Sequence, residues 1–372
     1  MQLKGTRLEV NLEALAHNYH YLRSKISEDT KFMSVVKANA YGHGMVPIAQ
    51  KLQELGTDYF ATAYMEEGVE LRDNGIIKPI LILHPQQHNL DVCIDRCLEP
   101  VIYSMEMLDA FTASAKAKQQ QSYPIHLEFN TGLNRIGIDH KDVDNVLEKL
   151  SSSPEVKVRG LQSHLAASED LGETVFTQKQ IALFEEITSK VQQKLGYEIL
   201  KHESNTSGLL NYKNAHFSMV RSGIGLYGYG NDAQYDAHLK PIATLISNIS
   251  QIRTIEAGET VSYNRKFVAK GRTTYAVVAL GHGDGINRIY GYGKLEVRIN
   301  GKSAPTLGII CMDMFMVDMS SIEAKVGDEV VIFDPHIHTS RQMAEDAGTI
   351  SYELLTGIQK RVRRVYLNNA SN

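Results

Sequence analysis

Val35-Val36-Lys37-Ala38-Asn39-Ala40-Tyr41-Gly42-His43-Gly44 is the stretch on which the reading of this chain turns. It continues a strand-like apolar run, Phe32-Met33-Ser34-Val35-Val36, that ends at a lysine. Gly42 and Gly44 bracket a turn. Val46-Pro47 predicts a helix just beyond, because proline suits a first helical turn. A lysine at the C-terminal end of a buried strand has a desolvated ammonium, which lowers its pKa and frees the amine as a nucleophile. Such an amine can form a Schiff base with an aldehyde cofactor. Taken alone, a strand-end lysine more often just reaches solvent. The rest of the chain shifts that balance.

Between about residue 30 and 225, short apolar runs alternate with longer amphipathic segments. Strands are expected at 32–36, 59–64, 79–83, 99–103, 125–129, 156–161, 198–202 and 217–220. Helices are expected between them, including 45–55 and 177–195. In the latter, Ile181, Phe184 and Ile187 share one face. Eight strands alternating with helices over ~200 residues is the pattern of a (β/α)8 TIM-like barrel. A doubly wound sheet would need a G-x-G-x-x-G loop after its first strand, and none stands there. Beyond about 240, β-branched runs crowd together at 273–280, 294–299, 305–310, 315–319 and 329–333. Turn signals separate them. Two helices come next, at 342–347 and 349–357. The expected division is 12–238 for the barrel, with 1–11 and 239–372 forming a mainly β C-terminal domain.

With 372 residues, the chain is too long for one ordinary core. Apolar content of 43% and charged content of 22% suit a soluble globular protein. The formal charge of −4 argues against a nucleic-acid or membrane-surface partner. There is no apolar run long enough to span a bilayer and no apolar leader core at the N-terminus. Cys93, Cys97 and Cys311 give no disulfide framework, so a cytoplasmic setting is expected. Cys93 and Cys97 lack a second Cys/His pair for a metal site and read as core thiols. No metal is expected.

A barrel enzyme places its active-site residues at the C-terminal ends of its strands. Lys37 ends the first strand, Asn134-Arg135 follow the fifth, and His164 ends the sixth. Asn205-Thr206 follow the seventh, and Arg221 ends the eighth before Ser222-Gly223-Ile224-Gly225. The last two loops offer a hydroxyl and a glycine-bracketed turn that can face a phosphate. Singly, His164 is more often a core histidine, and Arg135 and Arg221 are as readily structural ion pairs. Their agreement at five strand ends argues for a site.

These segments resemble the alanine racemases that depend on pyridoxal 5'-phosphate (PLP). The match runs from V-K-A-N-A-Y-G-H-G through the Arg135 loop, His164 and V-R-S-G-I-G-L-Y-G. It continues through V-S-Y-N at Tyr263 and Cys311-Met312-Asp313 to T-I-S-Y-E at Tyr352. The resemblance implies that Lys37 holds PLP as a Schiff base and serves as one of two racemisation bases. Tyr41, Asn205, Thr206, Gly223, Ile224 and Tyr352 would bind the cofactor, most of them at its phosphate. Arg221 would bond the pyridine nitrogen and, by keeping its own proton, leave the ring a weaker electron sink. Tyr263 would be the second base, surrounded by His164 and Arg135. Arg135 and Met312 would hold the substrate. Lys37 would serve the D-face and Tyr263, from the partner subunit of a head-to-tail homodimer, the L-face. The product implied is D-alanine for bacterial peptidoglycan.

The chain departs from the pattern in places. Glu128 stands where the family lysine is often carbamylated, and it is expected to supply the negative charge to Arg135. Asn264 replaces a glycine. His282, in G-H-G-D-G, replaces a tyrosine that shapes substrate access. A broader racemase, for serine among others, and a non-enzymatic PLP-binding protein are the alternatives. The non-enzymatic reading leaves Tyr263, Met312 and Tyr352 unexplained. Arg221 disfavours a PLP decarboxylase of the same architecture.

Overall fold

Near-continuous apolar runs are what strands covered on both faces require, and all eight expected runs become strands of one parallel sheet. These are β1 (Lys31–Val35), β2 (Tyr59–Thr62), β3 (Ile80–Ile82), β4 (Glu99–Ile102), β5 (Tyr123–Asn130), β6 (Val156–Gln162), β7 (Leu200–His202) and β8 (Met219–Ser222). The structure is a computed structural model that describes residues 5–368. The strands pair in chain order, and β8 pairs with β1. Between β7 and β8, Ser218 N donates to Lys201 O at 3.2 Å and Arg221 N to Ser204 O at 3.2 Å, which closes the ring. Phe32, Phe60, Leu81, Val101 and Leu127 in these strands are all fully buried. The long helix Thr174–Leu195 buries Ile181, Phe184 and Ile187 as its spacing predicts, and Gly196 caps it at φ 73°.

The second unit is an eight-stranded sheet. Its long strand Ala243–Ile255 pairs antiparallel with Thr273–Val278, Glu329–Phe333 and Arg7–Asn11. Arg363–Leu367 adds in parallel beside Arg7–Asn11. The helices Ser340–Asp346 and Ser351–Gly357 belong to this unit. The fold is therefore α/β, a TIM-like barrel with a mainly β C-terminal domain.

By compactness the chain divides into residues 15–40 with 45–240, and residues 1–14 with 41–44 and 241–372. The short piece 41–44 joins the β unit because that unit's C-terminal strand holds its carbonyls. Arg364 donates to Gly42 O from Nε at 2.9 Å and from Nη2 at 2.8 Å, and Tyr366 Oη donates to His43 O at 3.1 Å. Two expectations need correction. Lys37 does not end a strand: β1 stops at Val35, and Lys37 opens a tight turn. Cys97 is not a core thiol. It is exposed at φ 51°, just past the C-terminus of helix Leu90–Asp95, while Cys93 within that helix is buried.

Candidate active site

Ala38, Asn39, Ala40 and Tyr41 all take the left-handed conformation, with φ between 51° and 54°. None is glycine, and each such residue costs roughly 1–2 kcal/mol. Several bonds hold the turn. Ala38 N donates to Glu67 Oε1 at 2.6 Å, Ala40 N to Val36 O at 2.8 Å, and Met45 N to Asn39 Oδ1 at 3.0 Å. Gly42 comes next at φ 85°, where a Cβ would lie 2.0 Å from Leu355 O, so no other residue fits. Lys37 is the residue that this reversal presents. Burial, with help from Arg135 and Arg221, lowers the pKa of its ammonium.

Arg221 is the most constrained charge in the barrel. Its Nη1 donates to His202 O at 2.6 Å and to His202 Nδ1 at 3.0 Å. Its Nη2 donates to Ser163 O at 2.7 Å, Glu203 O at 3.0 Å and His164 Nδ1 at 3.2 Å. Carbonyls from two strand ends thus fix the guanidinium plane, and Nε–H lies outside this set of bonds. Burial lowers its pKa to about 10, which leaves it charged at neutral pH. An arginine can only donate, so His164 Nδ1 must accept and its Nε2 carries the proton. Burial and the charges of Arg221, Arg135 and Lys37 hold the His164 pKa well below its ordinary value, so this ring is neutral. Lys37, Arg135, His164 and Arg221 are therefore one electrostatic cluster at the C-terminal mouth of the barrel.

Sequence reasoning missed one acidic feature of this mouth. Glu203 is fully buried. Its Oε1 accepts from Thr131 Oγ1 at 3.2 Å, while its Oε2 has no partner among the described residues. Burial pushes its carboxyl up to about 7. Gln180 Nε2 ties the same patch together through Thr131 Oγ1 and His164 O, each at 3.2 Å. The available signal was Glu203 itself, a carboxylate beside the end of a buried strand. Glu128 is also buried, but its carboxylate accepts from Gln162 Nε2 at 2.8 Å and forms no ion pair with Arg135, which is exposed. The charge of Arg135 reaches Glu128 across space rather than by the direct contact expected.

At the β7 and β8 loops, Thr206 Oγ1 lies 3.0 Å from Ser222 Oγ and accepts from Gly223 N and Gly225 N, both at 3.3 Å. Asn205 caps the following turn by accepting from Gly208 N at 2.8 Å. Ile224 lies buried between the two donor glycines. The N–H groups of Gly223 and Gly225 are thus engaged by Thr206 Oγ1, on either side of Ile224.

The β unit carries the other expected residues. Tyr41 is buried with its ring 5.8 Å from that of Tyr352, and burial raises its pKa. Tyr263 is 67% exposed and Met312 59% exposed. Backbone strain surrounds Tyr263: Ser262, Asn264 and Arg265 have φ of 75°, 54° and 54°. Asparagine tolerates this conformation better than most residues, which explains how Asn264 can stand in for a glycine. The Met312 loop is held from below. His282 N donates to Cys311 O at 2.9 Å and Gly283 N to Met312 O at 2.8 Å. A Cβ on Gly281 would lie 2.3 Å from Met312 O. Arg361 clamps Asp284 at 2.7 Å and Asp313 at 2.9 Å.

Two family models match the chain: the alanine racemase N-terminal domain over residues 10–231 and the C-terminal domain over 242–366. The alanine racemase of Citrifermentans bemidjiense is 33% identical, covering 99% of this chain and 100% of its own. Alanine racemase 1 of Clostridium acetobutylicum is 36% identical over 97% and 95%. The solved alanine racemase of Clostridium difficile superposes with a TM-score of 0.93 at 33% identity, covering 99% of this chain and 97% of its own. The Bartonella henselae alanine racemase, solved with covalently bound pyridoxal phosphate, gives 0.89 at 27% identity over 98% and 100%. Both domains, in order and at full length, place this chain in the alanine racemase family.

Proposed function

We propose that the chain is a PLP-dependent alanine racemase that interconverts L- and D-alanine. The observation that carries this reading is the cluster of Lys37, His164 and Arg221, a depressed amine facing a fixed guanidinium and a neutral imidazole. The residues present fit PLP. Lys37 offers an amine, Arg221 an Nε–H outside its clamp, and Thr206 beside the glycine-bracketed turn Gly223 to Gly225 a neutral loop suited to a phosphate. When bound, PLP supplies the electron withdrawal that acidifies the α-proton of alanine.

The chain's own groups do the rest. Lys37 takes or returns a proton on the D-face. Tyr263 of the partner subunit does so on the L-face. Two bases on opposite faces invert the centre without rotating it. Arg221 would donate toward the ring nitrogen and, because it keeps its proton, would hold that nitrogen unprotonated. His164 presents Nε2–H as a neutral donor. Arg135 and Met312 position the carboxylate. Asn205 orders the phosphate loop, and Ile224 would add its N–H. The roles given to Tyr41 and Tyr352 at the phosphate belong to the same proposal. Tyr263 and Met312 are exposed on their own unit, which supports a homodimer with shared sites. The free cysteines suit a cytoplasmic protein supplying D-alanine for peptidoglycan.

A circular-dichroism time course of the PLP-loaded protein with L-alanine, and with L-serine in parallel, tests the proposal. Rotation decaying to zero with alanine and much more slowly with serine is the expected result. Equal decay would make it a broad racemase. No decay, with a chromophore that still bleaches on borohydride treatment, would leave a PLP-binding protein.

A further inference from the structure

The interior of a TIM barrel is ordinarily packed with branched apolar side chains. Here a polar chain runs through it. Arg221 Nη1 meets His202 Nδ1 at 3.0 Å, His202 Nε2 meets His126 Nδ1 at 2.9 Å, and His126 Nε2 meets Glu99 Oε2 at 2.9 Å. Both histidines are 0% exposed. Glu99 opens β4 at the opposite end of the barrel, and Tyr59 Oη, from the start of β2, donates to Glu99 Oε2 at 3.4 Å. Room for the pair comes from Gly160 in β6, where a Cβ would fall 2.5 Å from His126 Nδ1.

The two ends dictate every proton between them. Arg221 can only donate, so His202 Nδ1 accepts and its proton sits on Nε2. That proton points at His126 Nδ1, which must accept, so the proton of His126 sits on Nε2 and points at Glu99. A charged histidine at either position would set two donors face to face. Burial and the charge of Arg221 hold the His202 pKa well below its ordinary value, in agreement with this arrangement.

We infer that Glu99, His126 and His202 form a positioning chain that fixes one tautomer throughout and thereby holds the Arg221 guanidinium in the orientation its Nε–H needs. The inference rests on the PLP racemase reading for its consequence, though not for its geometry. Burying two histidines in a barrel core beside a mostly covered carboxylate is costly unless each is bonded. The chain satisfies that condition only in this one proton arrangement.

Long-range proton–nitrogen NMR of the PLP-loaded, histidine-labelled protein tests it. Both rings should show a bare Nδ1 and a protonated Nε2 at neutral pH. Glu99→Leu should release the His126 tautomer and lower kcat by about tenfold, the scale seen when an outer partner is lost, with KM for alanine little changed. Glu99→Gln keeps an acceptor and should restore both. A protonated Nδ1 or a charged ring at His126 in the unaltered protein would overturn the inference, whether or not any variant folds. So would Glu99→Leu with unchanged tautomers and unchanged kcat. Failure of the racemase reading has a different signature, no loss of rotation from alanine while the tautomer signals stand.

Discussion

The barrel mouth and the Tyr263 loop are built in opposite ways. Arg221 is buried under five hydrogen bonds, and His164 is fixed as a neutral donor by one of them. Tyr263 and Met312 stand out from their unit, 67% and 59% exposed, on backbone that is strained or clamped from beneath. A preorganised electrostatic site belongs in a rigid, low-dielectric scaffold, where fixed dipoles need no rearrangement. A side chain that must complete a site on another copy has to be presented outward, with the loop beneath it braced. The two regions thus do different physical work, and they should break differently.

Lys37→Ala gives the largest effect. Racemisation should fall by on the order of a thousandfold or more, with loss of the borohydride-sensitive chromophore, because on the proposed reading both the anchor and one base would be gone. Arg221→Ala attacks the buried side of the comparison. It strips the charge that faces Glu128 and Glu203 and leaves the carbonyls of Ser163, His202 and Glu203 without their donor. A loss of about 3–5 kcal/mol in stability is expected from thermal or urea unfolding. Were the exposed region equally integrated, Tyr263→Phe would melt early too, and it should not.

A smaller effect comes from pH. The Glu203 carboxyl, raised by burial to about 7, binds its proton more tightly in the folded protein than in the unfolded one. Its contribution to stability is full below about pH 4.3 and is lost as pH rises through about 7. Glu203→Gln removes that dependence. The variant's Tm should fall less than the parent's between pH 5 and 8 and exceed it at the upper end by a few degrees. Parallel melting curves would count against a buried acid. The smallest effect is expected in the exposed loop. Asn264→Gly should change stability by no more than about 0.5 kcal/mol, since glycine accepts the same positive φ and the position is solvent-facing.

The barrel was legible because parallel strands covered on both faces must be written as apolar runs, and 32–36, 59–64 and 79–83 are such runs. Lys37, His164 and Arg221 could be found by inspecting the residue at or just past the C-terminal end of each run. The left-handed stretch Ala38–Tyr41 could not. Alanine is the strongest of right-handed helix formers, and bonds to Glu67, Val36 and Asn39, which no local propensity foretells, help hold the stretch in the other hand. The Arg221 clamp was equally hidden, because backbone carbonyls carry no sequence signature. Glu128 was read as a partner for Arg135 from the family resemblance, whereas packing gave it to Gln162.

The most direct test of the central claim is complementation. Lys37→Ala and Tyr263→Phe proteins, each inactive, would be mixed under conditions that allow subunits to exchange and assayed for L-alanine racemisation. If barrel and β unit from different copies build each site, a mixed dimer holds one intact site, and activity should recover to about a quarter of the unaltered enzyme. Recovery of none, with exchange verified, would contradict shared sites and return both residues to a single chain.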